Sequence, residues 1–279
     1  MPQDADWTKR KLDYQPPQID TSRAHSARVY DYLLGGKDNY LHDREVAERL
    51  IRTLPSAPES VRHNRWFMHR AARYLAAEEG IRQFLDIGTG IPTSPNLHEI
   101  AQQADPSARV VYVDNDPIVL AHAHARLTSA PRGQVTCINA NLRDPKTILQ
   151  APELTATLDL DQPAALLILS TLHLIADPAE ARDLLQRYVA ALAPGSFVAL
   201  SVATNDGYSS AAGSEQRSIL QSDGIPVPQR TKSEAEALFD GLELVEPGVV
   251  LVNQWRPDPD SGNSGTAEVG LYCGVARKR

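Results

Sequence analysis

From about residue 82 onward the chain alternates short apolar runs with segments whose apolar positions recur every three or four residues. The runs predict strands at 84–87, 110–113, 135–139, 165–169, 197–202, 249–254 and 269–276. Several are unbroken Val, Ile and Leu stretches, the pattern of parallel strands covered on both faces. Between them, Ser94-Pro95 reads as the N-cap and first position of a helix with Leu97, Ile100, Ala101 and Ala104 on one face. Asp116-Pro117, Asp144-Pro145 and Asp177-Pro178 open further helices, the last striped by Ala181, Leu184, Leu185, Tyr188 and Leu192. Thr231 and Glu234 have the spacing of a capping box, and Gly241 closes that helix.

Strand–helix alternation of this kind predicts an α/β fold: a Rossmann-like, doubly wound, mostly parallel sheet of seven strands. The stretch 257–265, rich in Pro, Gly, Ser and Asp, joins the last two strands and carries no helix signature. A parallel crossover needs a longer and usually helical connection, so one antiparallel edge strand is expected there.

Ahead of the sheet, residues 23–80 read as a helical cap, interrupted at Gly35-Gly36 and again around Pro55 to Pro58. Its last helix covers about 60–79 and stops at Gly80, a natural residue for the position after a helix. Residues 1–22 are polar, with Pro16-Pro17 and basic residues at Lys9 to Lys11, and read as a flexible tail. Residues 81–279 then form the nucleotide-binding domain.

Composition narrows the function classes. With 42% hydrophobic and 23% charged residues the chain can bury a full core. Its net charge of −7 weighs against a nucleic-acid partner, since duplex binding draws most of its affinity from Lys and Arg neutralising phosphates. Only Cys137 and Cys273 are present, both inside apolar runs, which suits buried thiols in a reducing cytoplasm. No stretch approaches the ~18 consecutive apolar residues of a membrane span, and no apolar signal core is visible. A soluble, cytoplasmic protein is expected.

The candidate chemistry sits at the strand ends. After the first strand comes Asp86-Ile87-Gly88-Thr89-Gly90-Ile91-Pro92, where glycine permits both a sharp turn and close approach of backbone to a ligand. A pyrophosphate-binding loop needs a third glycine, and Thr93 occupies that place. Asp114 ends the second strand, 26 residues after Gly88, where a carboxylate can accept both hydroxyls of a ribose. Its neighbour Asn115 adjoins that site, whereas Asp116 is explained as the cap before Pro117. The third strand ends in Asn139-Ala140-Asn141-Leu142, a polar and apolar pair suited to the edge and face of an adenine.

FLDIGTG, VVYVDNDP and NANLRDP together resemble the glycine, ribose and adenine motifs of class I S-adenosylmethionine-dependent methyltransferases. More narrowly, ARVYDYLLGGKDNY, NRWFMHRAARYL and VYVDNDPIVLAHA are similar to a bacterial family of S-adenosyl methyltransferases, over roughly residues 24 to 279. The resemblance implies S-adenosylmethionine as cofactor. It places the loop from Asp86 through Gly88 and Thr89 to Gly90 against the methionine and ribose portions, Asp114 on the ribose, and Asn141 with Leu142 on the adenine. One departure is Asn141 itself, where relatives often carry aspartate; the amide oxygen still accepts but carries no charge.

Methyl transfer from a sulfonium is an in-line displacement with a good leaving group, so orientation supplies much of the rate and a base is needed only for a protonated acceptor. Ser170-Thr171-Leu172-His173 follows the fourth strand, where such enzymes face the methyl group. The Asn/Asp-Pro-Pro-Tyr motif of DNA amino-methyltransferases is missing there. His173 reads either as a general base or as a hydrogen-bonded packing histidine. Tyr30, Gly36 and Asn39 lie in a segment dense in hydrogen-bonding groups (Arg28, Asp31 and Tyr40 among them) that suits a cover over the cofactor. Asn64 and Arg65 suit its carboxylate, and 204–216 reads as a loop lining the acceptor site. The expected activity is methyl transfer to a small molecule. A non-catalytic S-adenosylmethionine sensor and a nicotinamide-dependent oxidoreductase are the competing readings.

Overall fold

In the computed structural model, residues 19–126, 129–206, 215, 218–225, 228–258 and 268–279 are described. Most of the tail and of the loops 204–216 and 257–265 lie outside them. Four parallel pairings build the sheet: β1 (Gln83–Ile87) lies between β2 (Arg109–Asp114) and β4 (Ala165–Leu169), β3 (Gln134–Asn139) pairs with β2, and β5 (Phe197–Ala203) with β4. Period-two alternation then divides neighbouring residues between two cores. Leu85, Val111 and Leu166 face one side, and Phe84, Val110 and Leu167 the other.

β8 (Leu271–Arg277) runs antiparallel to β5, with Phe197 opposite Arg277. Beyond it lie two short antiparallel partners, β6 (Glu243–Leu244) and β7 (Val250–Leu251). Among the described residues the sheet therefore has eight strands in the order β3-β2-β1-β4-β5-β8-β6, with β7 also on β8. The added strand, β6, has two exposed residues and no apolar run to betray it. β7 is shorter than its apolar pattern suggests because the Arg70 side chain draws off the backbone after it. Its Nη2 donates to the Val252 carbonyl at 2.6 Å and its Nε to the Trp255 carbonyl at 2.7 Å, turning the chain away from the ladder.

Helices cover both faces. The first core packs α8 (Pro178–Ala190) through Leu184, Leu185 and Tyr188. Asp177 caps α8 by accepting from the Ala179 N–H at 2.9 Å, and Asp144 likewise caps α6 (Pro145–Leu149). α7 (Pro152–Thr157) follows, and α9 (Lys232–Glu236) starts with the expected reciprocal Thr231–Glu234 bonds. On the second face, α3 (Ala57–Arg73) contributes Phe67, Met68 and Ala71 and widens into a π-turn at Tyr74–Glu78 before Gly80. α4 (Leu97–Ala104) begins two residues later than its Ser-Pro signal implies. Asn96 is its cap, bonded reciprocally with Glu99, while Ser94 Oγ donates to the same Glu99 carboxylate at 2.8 Å.

α1 (Ser26–Leu33) and α2 (Leu41–Thr53) share a third apolar cluster, in which Val29, Leu33, Val46 and Leu50 meet Val61 of α3. Leu174, just past β4, packs against it, so these helices lie at the carboxyl end of the sheet. No helix among the described residues is long and apolar enough to cross a membrane.

Candidate cofactor site

The loop after β1 turns on two glycines with left-handed backbone, Gly88 at φ 77° and Gly90 at φ 68°. Their constraints differ. A Cβ on Gly88 would stand 2.2 Å from Thr171 Oγ1, so this glycine serves close packing against the segment after β4. A Cβ on Gly90 would meet nothing within 4 Å, so this one borders open space. Gly88 N–H donates to the Val113 carbonyl at 2.8 Å, and Thr89 Oγ1 donates to the Asp86 carbonyl at 3.1 Å. α4 starts only at Leu97, which leaves the loop broad.

Asp114 closes the loop from the neighbouring strand. Its Oδ2 accepts the Gly90 N–H and its Oδ1 the Asp116 N–H, both at 2.9 Å. Burial raises its pKa while those two N–H groups pull it back down. Among the described residues Asp86 has no such donors. Burial, opposed by Arg65 and reinforced by Asp114, lifts its carboxyl to about 7.

Around this loop is an open cleft whose empty space, counting its mouth, is about 760 Å³. Asp86, Gly88, Thr89, Gly90 and Asp114 line its floor, with Asn115 exposed beside them. Ser170 lines it from the end of β4 at φ 50°, a strained conformation for a residue with a side chain, held by the carbonyl and hydroxyl oxygens of Ser201 accepting its N–H. Tyr30 and Arg65 complete the wall from α1 and α3. Tyr30 hydroxyl donates to the Val61 carbonyl at 3.1 Å and accepts from Asn64 Nδ2 at 3.0 Å. Arg65 Nη2 donates to the carbonyls of Thr93 and Pro95, fastening the broad loop to α3.

Five candidates from the sequence do not line this cleft. The Gly36 N–H donates to the Asp31 carbonyl at 2.8 Å, and Asn39 Nδ2 donates to the Asp31 carboxylate at 2.7 Å. Asn39 Oδ1 accepts from Arg44 Nε at 2.6 Å, so these polar groups hold the turn together. Asn141 Oδ1 accepts the Arg143 N–H at 2.9 Å within its own loop. Leu142 is buried in the first core. His173 lines a neighbouring hollow, where burial, helped by Arg230, lowers its pKa to about 4.

The cleft includes residues that sequence reasoning passed over, chiefly His25, Ser26 and Met68. His25 Nδ1 lies 3.0 Å from Asp116 Oδ2, and Arg28 Nε lies 3.6 Å from the same oxygen and 3.4 Å from Asp43. Asp43 also accepts the His25 and Tyr40 N–H groups, each at 2.9 Å. Asp116 therefore both caps α5 (Pro117–Arg126) and anchors α1. The density of polar groups around Arg28 signals this network; which partners they take depends on tertiary packing.

The residues present fit an amino-acid nucleoside. A buried carboxylate with lone pairs to spare, Asp114, ends β2 beside the glycine loop. Arg65 Nε and Asn64 Oδ1 are buried without a partner among the described residues at the other wall, groups that a zwitterionic ligand would satisfy.

A family model described as S-adenosyl methyltransferase matches residues 13–279. The chain belongs to that family. A DUF574 family protein from Streptomyces avermitilis has the same structure at a TM-score of 0.90 and 46% identity, over 94% of this methyltransferase and 100% of that chain. A Thermobifida fusca protein matches at a TM-score of 0.86 and 40% identity, over 96% and 99%. The plantazolicin methyltransferase BpumL, solved with S-adenosylhomocysteine, is 13% identical at a TM-score of 0.51, over 91% and 95%, and shares the fold. No curated protein matches the chain. The chain is thus an S-adenosylmethionine-dependent methyltransferase.

Proposed function

We propose that this methyltransferase modifies a small molecule, with S-adenosylmethionine held in the cleft between the glycine loop, Asp114 and α1. The observation carrying this reading is the cleft itself, where Asp114 and Gly90 are joined by one hydrogen bond at the ends of adjacent strands. Bound there, S-adenosylmethionine supplies a methyl group on a sulfonium sulfur. Asp114 accepts from the ribose hydroxyls with the lone pairs its backbone partners leave free. Asp86 sits at the amino-acid end, where an ammonium stabilises its carboxylate. Arg65 takes the carboxylate of that end, Asn64 Oδ1 accepts from its ammonium, and Ser170 borders the transferred methyl group. Asn115 lies at the rim.

α1 and α2, with the Gly36–Asn39 turn between them, act as a cap that narrows access to the reacting centre. A narrowed approach supports a small acceptor over a folded macromolecule, as does the net charge of −7 against nucleic acid. Cys137 and Cys273 are both free thiols, which fits the cytoplasm. The test uses S-adenosylmethionine labelled in its methyl group and an extract divided by ultrafiltration. Label is expected in the small-molecule filtrate; label confined to the retained macromolecules contradicts the proposal.

A further inference from the structure

Beside the cofactor cleft lies a second hollow that shares Ser26, Tyr30, Ser170 and Leu174 with it. Its other walls are almost wholly apolar, formed by Val29, Leu33, Leu50, Val61, Leu220 and Ile225. None of its described lining residues is acidic, lysine or arginine. The polar groups it does contain are mostly engaged. Tyr30 hydroxyl has both a donor and an acceptor partner, and Ser60 Oγ accepts from the Gly270 N–H at 3.1 Å and donates to the Ser56 carbonyl at 3.2 Å.

His173 differs. Its Nδ1 accepts the Ala203 N–H at 3.2 Å, which fixes the neutral tautomer with the proton on Nε2. No described protein group pairs with Nε2. A ring whose only unengaged nitrogen already carries a proton offers a donor, not a base.

We propose that this hollow binds the methyl acceptor, an uncharged and largely apolar small molecule with a hydrogen-bond-accepting oxygen that His173 Nε2–H engages. The assignment rests on the cofactor reading above, because the shared wall of Ser26, Tyr30, Ser170 and Leu174 is what brings the two ligands together. The acceptor's nucleophilic lone pair forms the new bond to the methyl carbon, and the carbon–sulfur electron pair stays on sulfur. Any proton the acceptor sheds passes to water, since His173 has no free basic nitrogen. An acceptor bearing a fixed charge is disfavoured, because these walls would strip its hydration without pairing it. His173 is accordingly a binding and positioning residue.

Prodan, an uncharged naphthalene bearing one ketone, tests this by fluorescence on the full-length protein saturated with S-adenosylhomocysteine. Binding of one Prodan per chain is expected, with emission shifted to the blue of its value in water. Anionic anilinonaphthalene sulfonate should bind on the order of a hundredfold more weakly. Val61→Phe should fill the hollow and abolish Prodan binding while S-adenosylhomocysteine still binds. His173→Phe should weaken Prodan about threefold to tenfold and move its emission further to the blue, because the ketone loses its donor. Equal binding of the two dyes, displacement of Prodan by S-adenosylhomocysteine, or unchanged Prodan emission in His173→Phe would each overturn the proposal. Failure of the parent to bind S-adenosylhomocysteine would bring down the cofactor reading and this assignment together. Retained S-adenosylhomocysteine binding without Prodan binding would bring down this assignment alone.

Discussion

Asp114 Oδ2 accepts the Gly90 N–H at 2.9 Å, so the carboxylate that ends β2 also fixes the shape of the loop that ends β1. One residue thereby holds the loop and presents acceptor lone pairs to the cleft. Asp114→Ala removes both functions, and its affinity for S-adenosylhomocysteine should fall on the order of a hundredfold by calorimetry. Asp114→Asn keeps an oxygen for Gly90 and should lose about tenfold. Parent-like affinity in the alanine variant would remove Asp114 from the ribose site.

The two loop glycines should separate stability from binding. Gly88→Ala drives a methyl group into Thr171 at a backbone angle that disfavours side chains, costing about 2–5 kcal/mol and lowering the melting temperature by roughly 5–15 °C. Gly90→Ala meets no atom within 4 Å, so it should cost only about 1–2 kcal/mol while its methyl group intrudes on the ligand. Thermal melts and calorimetry on both variants check this. Gly90→Ala melting lower than Gly88→Ala would reverse the roles.

Asp86 gives a pH signature. Its carboxyl is raised from 3.8 to about 7 by burial. A raised folded-state pKa contributes stability that is full below 3.8 and is lost as pH rises through about 7. Between about pH 5 and pH 8 this group alone should remove on the order of 2–3 kcal/mol. The stability gained by Asp86→Asn over the parent should therefore grow across that range and level off above about 7, as read by urea melts. S-adenosylhomocysteine binding by the parent should strengthen over the same range as the carboxylate ionises. A flat affinity profile in the parent would detach Asp86 from the ammonium.

Asp43 holds α1 to the site from beneath. It is fully buried, pairs with Arg28 at 3.4 Å and accepts two backbone N–H groups. Asp43→Ala should leave Arg28 under-compensated, cost about 3–5 kcal/mol and lower the melting temperature by roughly 6–15 °C. S-adenosylhomocysteine affinity should fall as well, since His25 and Tyr30 lose their placement. An unchanged melt would show that α1 is held by its apolar cluster alone.

The glycine loop and Asp114 were legible in the sequence because both are local: a strand, a turn, and the residue that ends the next strand. Helix starts at Asp116, Asp144 and Asp177 were legible for the same reason. Asn141 and Leu142 are placed by contacts that spacing does not encode. Their place after β3 was foreseen, yet Leu142 packs into the core and Asn141 turns to the N–H of Arg143, choices set by packing and by a two-residue bond. His25 was invisible because its partner Asp116 stands far along the chain. His173 was visible as a histidine, but which nitrogen is engaged depends on Ala203, on another strand.

A crystal structure of the S-adenosylhomocysteine complex would decide where the cofactor lies. The ribose hydroxyls should lie within hydrogen-bonding distance of Asp114, with the amino-acid end beside Asp86 and Arg65 and the sulfur near Ser170. A ligand bound outside this cleft, or one whose amino-acid end meets Asp114, would contradict the account.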